Sequence, residues 1–185
     1  MAIRSFAAVS VGPAVERAIG EAVKVLQRGM RDTRWVRPEN AHLTIQFYGD
    51  VEEAALPALA AALARAARDV PPFRIALAGG GAFPSVSRAR VLWIGVEDPE
   101  GGLVQLAEAV RQASEALGYR ADHPFTPHLT VGRAKRQVMF SAAEALAHLA
   151  GPFGEAHVGE LLLLQSELGP QGSHYVDLGR FPLGS

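Results

Sequence analysis

A repeated tetrapeptide constrains this chain more than any other feature: His42-Leu43-Thr44-Ile45 and His128-Leu129-Thr130-Val131. The sequence holds six His and four Thr, so chance placement gives about 0.13 His-x-Thr triplets. Two copies are an excess that needs a cause. Each copy sits in an apolar run and reads as a β-strand. Alternation then puts His and Thr on one face, with Leu43, Ile45, Leu129 and Val131 on the other. The contexts match as well. Each copy follows an amphipathic helix and a Pro-bearing turn, Arg37-Pro38-Glu39-Asn40 in one case and Pro124-Phe125-Thr126-Pro127 in the other, and each precedes a further helix. The repeat predicts a duplicated strand–helix–strand unit. Its halves would pack about a pseudo-two-fold axis, with the two motif strands side by side across a cleft.

The rest of the chain supplies the elements such a fold needs. A strand is expected over 3–11. Gly12-Pro13 opens a helix whose Val15, Ile19, Ala22, Val23, Leu26 and Met30 recur at helical spacing. The first motif strand should run over 41–49 and end at Gly49-Asp50, before an Ala-rich helix over 52–69 with Pro57 near its first turn. Strands over 73–79 and 89–97 are separated by Gly79-Gly80-Gly81 and Pro84-Ser85, which read as a flexible loop able to cover the cleft. A helix over 101–118, the second motif strand over 128–134, a helix near 141–150 and strands near 157–165 and 173–179 complete the chain. With no linker or low-complexity stretch between the halves, 1–185 is expected to be one domain of two lobes.

Composition narrows the chemistry. A chain of 185 residues buries roughly 70% of its unfolded surface. A net charge of −1 excludes a broadly basic nucleic-acid coat, so any anion site must be local. The absence of Cys excludes thiol nucleophiles, disulfides and Cys–zinc sites. No apolar run is long enough to span a membrane, and residues 1–11 lack a signal-peptide core. A cytoplasmic location is expected, and nothing demands more than a monomer.

Two imidazoles across a cleft make an acid–base pair, since His titrates near neutrality. A Thr hydroxyl two residues along donates to an anionic oxygen, and two such hydroxyls suit the two non-bridging oxygens of a phosphodiester. In-line displacement would follow, one His deprotonating water and the other protonating the leaving oxygen. The sequence has no HExxH, no His-x-His and no carboxylate at ligand spacing from either motif, so no metal is expected.

With these residues in view, the chain resembles the 2H phosphoesterases, which carry two HxTx motifs, and within them the RNA 2′,3′-cyclic phosphodiesterases, also called 2′-5′ RNA ligases. The likeness extends to Arg34-Trp35-Val36-Arg37-Pro38-Glu39-Asn40, Phe83-Pro84, Arg90-Val91-Leu92-Trp93, Pro127 and Ser166 through Tyr175. It covers about residues 3–180. The resemblance implies a bilobal α+β fold with antiparallel sheets and a central cleft, and hydrolysis of RNA 2′,3′-cyclic phosphate ends, or of cyclic-phosphate nucleotides, to 2′-phosphates without a metal or nucleotide cofactor. By motif match it makes His42 the proton donor and His128 the proton acceptor, with Thr44 and Thr130 on the phosphate oxygens. Residues alone do not tell donor from acceptor. Two alternatives stay open: 2′-5′ ligation by the reverse chemistry, and an RNA-end or nucleotide-binding module without turnover.

Phe47 and Arg133 occupy equivalent places, five residues after each His. The resemblance implies that Phe47 stacks on the terminal base and that Arg133 contacts phosphate or nucleotide. Strict alternation puts both on the wrong face. A bulge would restore them, and Gly132 is a candidate place for one. The competing readings are core packing for Phe47 and a solvated strand end for Arg133. Tyr48, Phe125 and Tyr175 are further base platforms, with core or turn packing the favoured reading. Arg34, Arg37, Arg88, Arg90, Lys135 and Arg136 could guide an RNA backbone or simply be solvated. His123, His148, His157 and His174 lack a Thr at the required offset and read as structural or surface residues.

Overall fold

The computed structural model describes residues 1–135, 141–169 and 172–184, so Arg136 lies outside the described residues. Among these, nine strands and four α-helices alternate in the order β1 (Ala2–Ser10), α1 (Gly12–Gly29), β2 (Thr33–Trp35), β3 (His42–Glu52), α2 (Leu56–Arg68), β4 (Phe73–Phe83), β5 (Val91–Glu97), α3 (Gly102–Glu115), β6 (His128–Ala134), α4 (Ala143–His148), β7 (Gly154–Val158), β8 (Glu160–Gly169) and β9 (Gly172–Pro182). The strands form two antiparallel sheets, one in the order β3-β1-β8-β9 and the other β2-β6-β5-β4-β7. Each motif strand belongs to a different sheet, and β3 touches β6 where the sheets meet. The fold is α+β, as the resemblance implies, and duplicated and pseudo-two-fold, as the repeat predicts.

The helices cross over. α1 carries Pro13 in its first turn, where a missing N–H costs nothing, and buries Val15, Ile19, Val23 and Leu26 as it packs on β7 and β2 of the second sheet and on α4. α2 and α3 pack on each other and against the first sheet. Their apolar stripes close one continuous core with Leu43, Ile45, Leu129 and Val131. A smaller cluster of Phe6, Ala8, Leu162 and Leu164 sits on the other face of the first sheet, beneath Tyr175. β1 is therefore buried on both faces, which is why residues 5–9 are all buried.

The structure corrects four expectations. The first motif strand continues past Gly49-Asp50 to Glu52, because its edge still pairs with β1 through Ala2. The expected strand near 157–165 is two strands, broken at Gly159, that belong to different sheets. β2 was not expected; three residues carry too little periodicity to read. Gly79-Gly80-Gly81 is not a loop over the cleft. It lies inside β4, where Gly79 (φ +70°) marks a bulge, Gly80 packs on Leu149, and a Cβ at Gly81 would lie 2.0 Å from the indole of Trp93. Trp93 is the cross-strand partner of Gly81 and lies over it.

Candidate active site

The two motif strands are built alike to the residue. Over seven positions, His-Leu-Thr-Ile-Gln-Phe-Tyr and His-Leu-Thr-Val-Gly-Arg-Ala, their burial runs through the same sequence: partly exposed, buried, partly exposed, buried, buried, exposed, partly exposed. The two consecutive buried positions break the period of two. Pairing registers show why. β3 gains an extra residue at Ile45, between the pairs Ala7↔Gln46 and Ala8↔Thr44. β6 gains one at Val131, between Leu92↔Gly132 and Trp93↔Thr130. Each bulge shifts the phase by one and returns the fifth residue after His to the His–Thr face. Phe47 and Arg133 thereby reach the wall of one cavity with His42 and Thr44. The extra residue is Val131, not Gly132; Gly132 is needed because Thr33 and Trp35 press on it.

Both imidazoles are held in the same way. Nδ1 of His42 donates to the carbonyl of Asn40, and Nδ1 of His128 to that of Thr126, each at 2.8 Å. A carbonyl only accepts, so the proton on Nδ1 is fixed and Nε2 is left as the working nitrogen. Nε2 of His42 lies 3.1 Å from the Thr44 hydroxyl. Aromatic rings flank each His: Phe6 at 4.9 Å and Tyr175 at 5.0 Å for His42, Phe83 at 5.1 Å and Trp93 at 6.3 Å for His128. Burial pushes the pKa of His42 below the ordinary imidazole range. The bond to Asn40 opposes that shift, and the positive charge of Arg133 adds to it.

The cavity has a volume of about 520 Å³. Among the described residues Arg4, Arg34, Arg37 and Arg133 line it and no carboxylate does, in a chain whose net charge is −1. Arg4 has Asp50 opposite it in the register, yet its guanidinium lies 4.6 Å over the ring of Phe47 instead of pairing with that carboxylate. Phe47 is 43% exposed, which sets aside the core-packing alternative. Among the described residues no three His, Asp or Glu side chains gather to hold a metal ion.

Four of the six predicted site residues lie on this wall: His42, Thr44, Phe47 and Arg133. His128 and Thr130 are not part of it; they stand upstream of Arg133 on β6, with His128 opposite Gly95 and Thr130 opposite Trp93. Of the secondary candidates, Arg34, Arg37 and Tyr175 reach the cavity. Tyr48 does not: its hydroxyl bonds Ser114 at 3.1 Å, its ring meets Tyr119, and burial raises its pKa far above the usual phenol value. Phe125 packs on the core, and the ammonium of Lys135 donates to the Arg31 carbonyl. Arg88, Arg90, His123, His148, His157 and His174 are off the wall. Sequence reasoning missed Arg4, Phe6 and Ser173. The period-2 alternation of β1 would have put Arg4 and Phe6 on one face; Ser173 had no signal beyond its place near Tyr175, and it reaches the site because its carbonyl accepts from the Asn40 amide at 3.0 Å.

Two His-x-Thr strands related by pseudo-symmetry, one giving its His and Thr and the other its Arg133 to an arginine-lined cavity, define a 2H phosphoesterase. The relationship extends through most of the chain: a family model described as the 2′-5′ RNA ligase superfamily matches residues 13–170, and the chain belongs to that family. The RNA 2′,3′-cyclic phosphodiesterase of Archaeoglobus fulgidus is 38% identical over 179 residues, covering 97% of this chain and 99% of that protein. The protein of the same name from Thermus thermophilus is 36% identical over 98% of this chain and 90% of its own. Among solved structures, TT0787 of Thermus thermophilus superposes with a TM-score of 0.82 at 34% identity over 98% of both chains. E. coli LigT complexed with 3′-AMP gives 0.79 at 28% identity over 100% of both.

Proposed function

We propose that this protein hydrolyses RNA 2′,3′-cyclic phosphate ends to 2′-phosphate ends, using His42 and His128 and no metal. The observation that carries the reading is the duplicated strand itself, with the same bulge, the same Nδ1–carbonyl bond and the same burial sequence in both halves. Relatives named RNA 2′,3′-cyclic phosphodiesterase over nearly the full chain, and a LigT relative that binds 3′-AMP, support the substrate class.

In the proposed step, Nε2 of His128 takes a proton from water as the water oxygen bonds to phosphorus. The phosphorus–O3′ bond breaks in line, and Nε2–H of His42 protonates the departing 3′-oxygen. The product is a 2′-phosphomonoester beside a free 3′-hydroxyl. Thr44 and Thr130 donate to the non-bridging oxygens, Arg133 balances the charge that builds on them, and Phe47 stacks on the terminal base. In the free protein, burial and Arg133 favour neutral His42. A bound phosphodiester anion counters the charge of Arg133 and draws a proton back to Nε2, so substrate binding itself arms the acid.

The test is an RNA oligomer ending in 2′,3′-cyclic phosphate, incubated with EDTA and resolved by chromatography. A 2′-phosphate end is expected, with turnover lost in His42→Ala and His128→Ala. A 3′-phosphate product would reverse the leaving oxygen. Near-normal activity in either variant would sink the assignment, and binding without product would favour a non-catalytic module.

A further inference from the structure

We propose that Arg34 and Arg133 form a second phosphate subsite, so that this protein acts on the end of an RNA chain in preference to a cyclic mononucleotide; the proposal rests on the reading above. β2 is three residues long, and its pairing with β6 sets Arg34 directly opposite Arg133. Like charges directly opposed weaken a sheet. Neither side chain is in an ion pair with a carboxylate among the described residues, and both line the same cavity.

The opposition is fixed by packing rather than left slack. Trp35 and Thr33 close on Gly132 so tightly that a Cβ there would lie 2.8 Å from Thr33 Cγ2 and 3.0 Å from Trp35 Cε3. A one-residue slip of β2 would remove that fit, so the short strand has one register, and the register juxtaposes two guanidinium groups. An anion between them turns the unfavourable pair into two charge-assisted hydrogen-bonding forks.

The reacting phosphodiester carries one negative charge, and two His and two Thr already attend it. Arg4 is committed to the ring of Phe47. Arg34 is therefore surplus to one phosphate. The next anion along an RNA chain is the internucleotide phosphodiester on the 5′ side of the terminal nucleotide. Arg133, whose charge acts on His42, bridges the two phosphates, and Arg34 reads the second.

Three substrates test this: adenosine 2′,3′-cyclic phosphate, the diadenosine ending in the same cyclic phosphate, and that dinucleotide with a neutral methylphosphonate linkage. The charged dinucleotide should exceed the mononucleotide by about tenfold in kcat/KM, what one charge-assisted bond supplies. The neutral linkage should forfeit most of that gain. Its salt slope should also be shallower by about 0.7, the share of one phosphate on a single strand. Arg34→Gln should collapse the dinucleotide-to-mononucleotide ratio towards one, and Arg34→Lys should restore part of it. Equal rates for charged and neutral linkages would overturn the proposal, as would a proportional fall on both substrates in Arg34→Gln. If no substrate turns over, the hydrolase reading fails. The subsite is then read from the Kd of an unreactive dinucleotide ending in 3′-phosphate against its methylphosphonate twin. A preference for the charged linkage lost in Arg34→Gln upholds it, and equal affinities overturn it.

Discussion

Replacing Gly81 by Ala tests whether the triple glycine is a built part of the second half-site. Gly81 is buried in β4, directly opposite Trp93, and the indole lies where a side chain would go. An added Cβ would meet Cζ2, Cη2 and Cε2 of Trp93 at 2.0, 2.2 and 2.5 Å. All three belong to the six-membered ring of the indole. Trp93 cannot easily yield, because Phe83 stands 5.2 Å from it and His128 6.3 Å. Overpacking of this kind costs about 1–3 kcal/mol, and the depth of the clash puts it at the upper end. For a domain of this size, about 3 kcal/mol lowers Tm by roughly 6–12 °C. Trp93→Phe removes the offending ring atoms and loses about 1–2 kcal/mol of burial. It forfeits no hydrogen bond among the described residues, where the buried indole N–H has no partner. In the double variant the clash is gone, so thermal and urea unfolding of the four proteins should show a coupling of at least about 1 kcal/mol in favour of the pair. Activity should follow: Gly81→Ala shifts the rings that hold His128, and an error of about 1 Å costs up to 10²-fold in kcat. A Gly81→Ala Tm within a degree of the parent would refute the reasoning, as would effects that add within about 0.5 kcal/mol.

The other expected outcomes concern the first half-site. Phe47→Ala should raise KM for an oligonucleotide by roughly tenfold to a hundredfold, the worth of one stacked base, with Phe47→Trp near the parent; an unchanged KM would refute stacking by Phe47 on the base. Thr44→Val should lower kcat/KM by about tenfold to a hundredfold, less than His42→Ala, in a steady-state comparison of the two variants. Arg133→Gln should raise the titration midpoint of His42, followed by its imidazole NMR signal, because one of the influences that lower it is removed. The same shift has a stability sign. A His held below its unfolded value of 6.5 binds fewer protons when folded. Its contribution is fully present above 6.5 and is lost as pH falls through the folded value. Urea midpoints should therefore fall between neutral and mildly acidic pH, and less steeply in His42→Ala.

What could be read from the residues, and what could not, divides on one physical line. Period-2 alternation put His42 and Thr44 together, and both line the cavity, because strand geometry acts residue by residue. It failed at Phe47 and Arg133, where an extra residue at Ile45 and at Val131 resets the phase. A bulge is a property of two paired strands, and one strand's sequence does not declare it. The glycines misled for a related reason. Gly79-Gly80-Gly81 read as freedom, but Gly81 is where the strand must admit a tryptophan from across the ladder, and Gly132 plays the same part for Trp35. Both are vacancies filled by a partner distant in sequence. β2 belongs with them, since three residues hold their place only through Gly132 and β6. The duplication still constrains these hidden features: a bulge in one half required a bulge in the other if Phe47 and Arg133 were to serve one cavity. The repeat is thus a stronger predictor of site geometry than either copy alone, because symmetry carries a local irregularity from one strand to its mate.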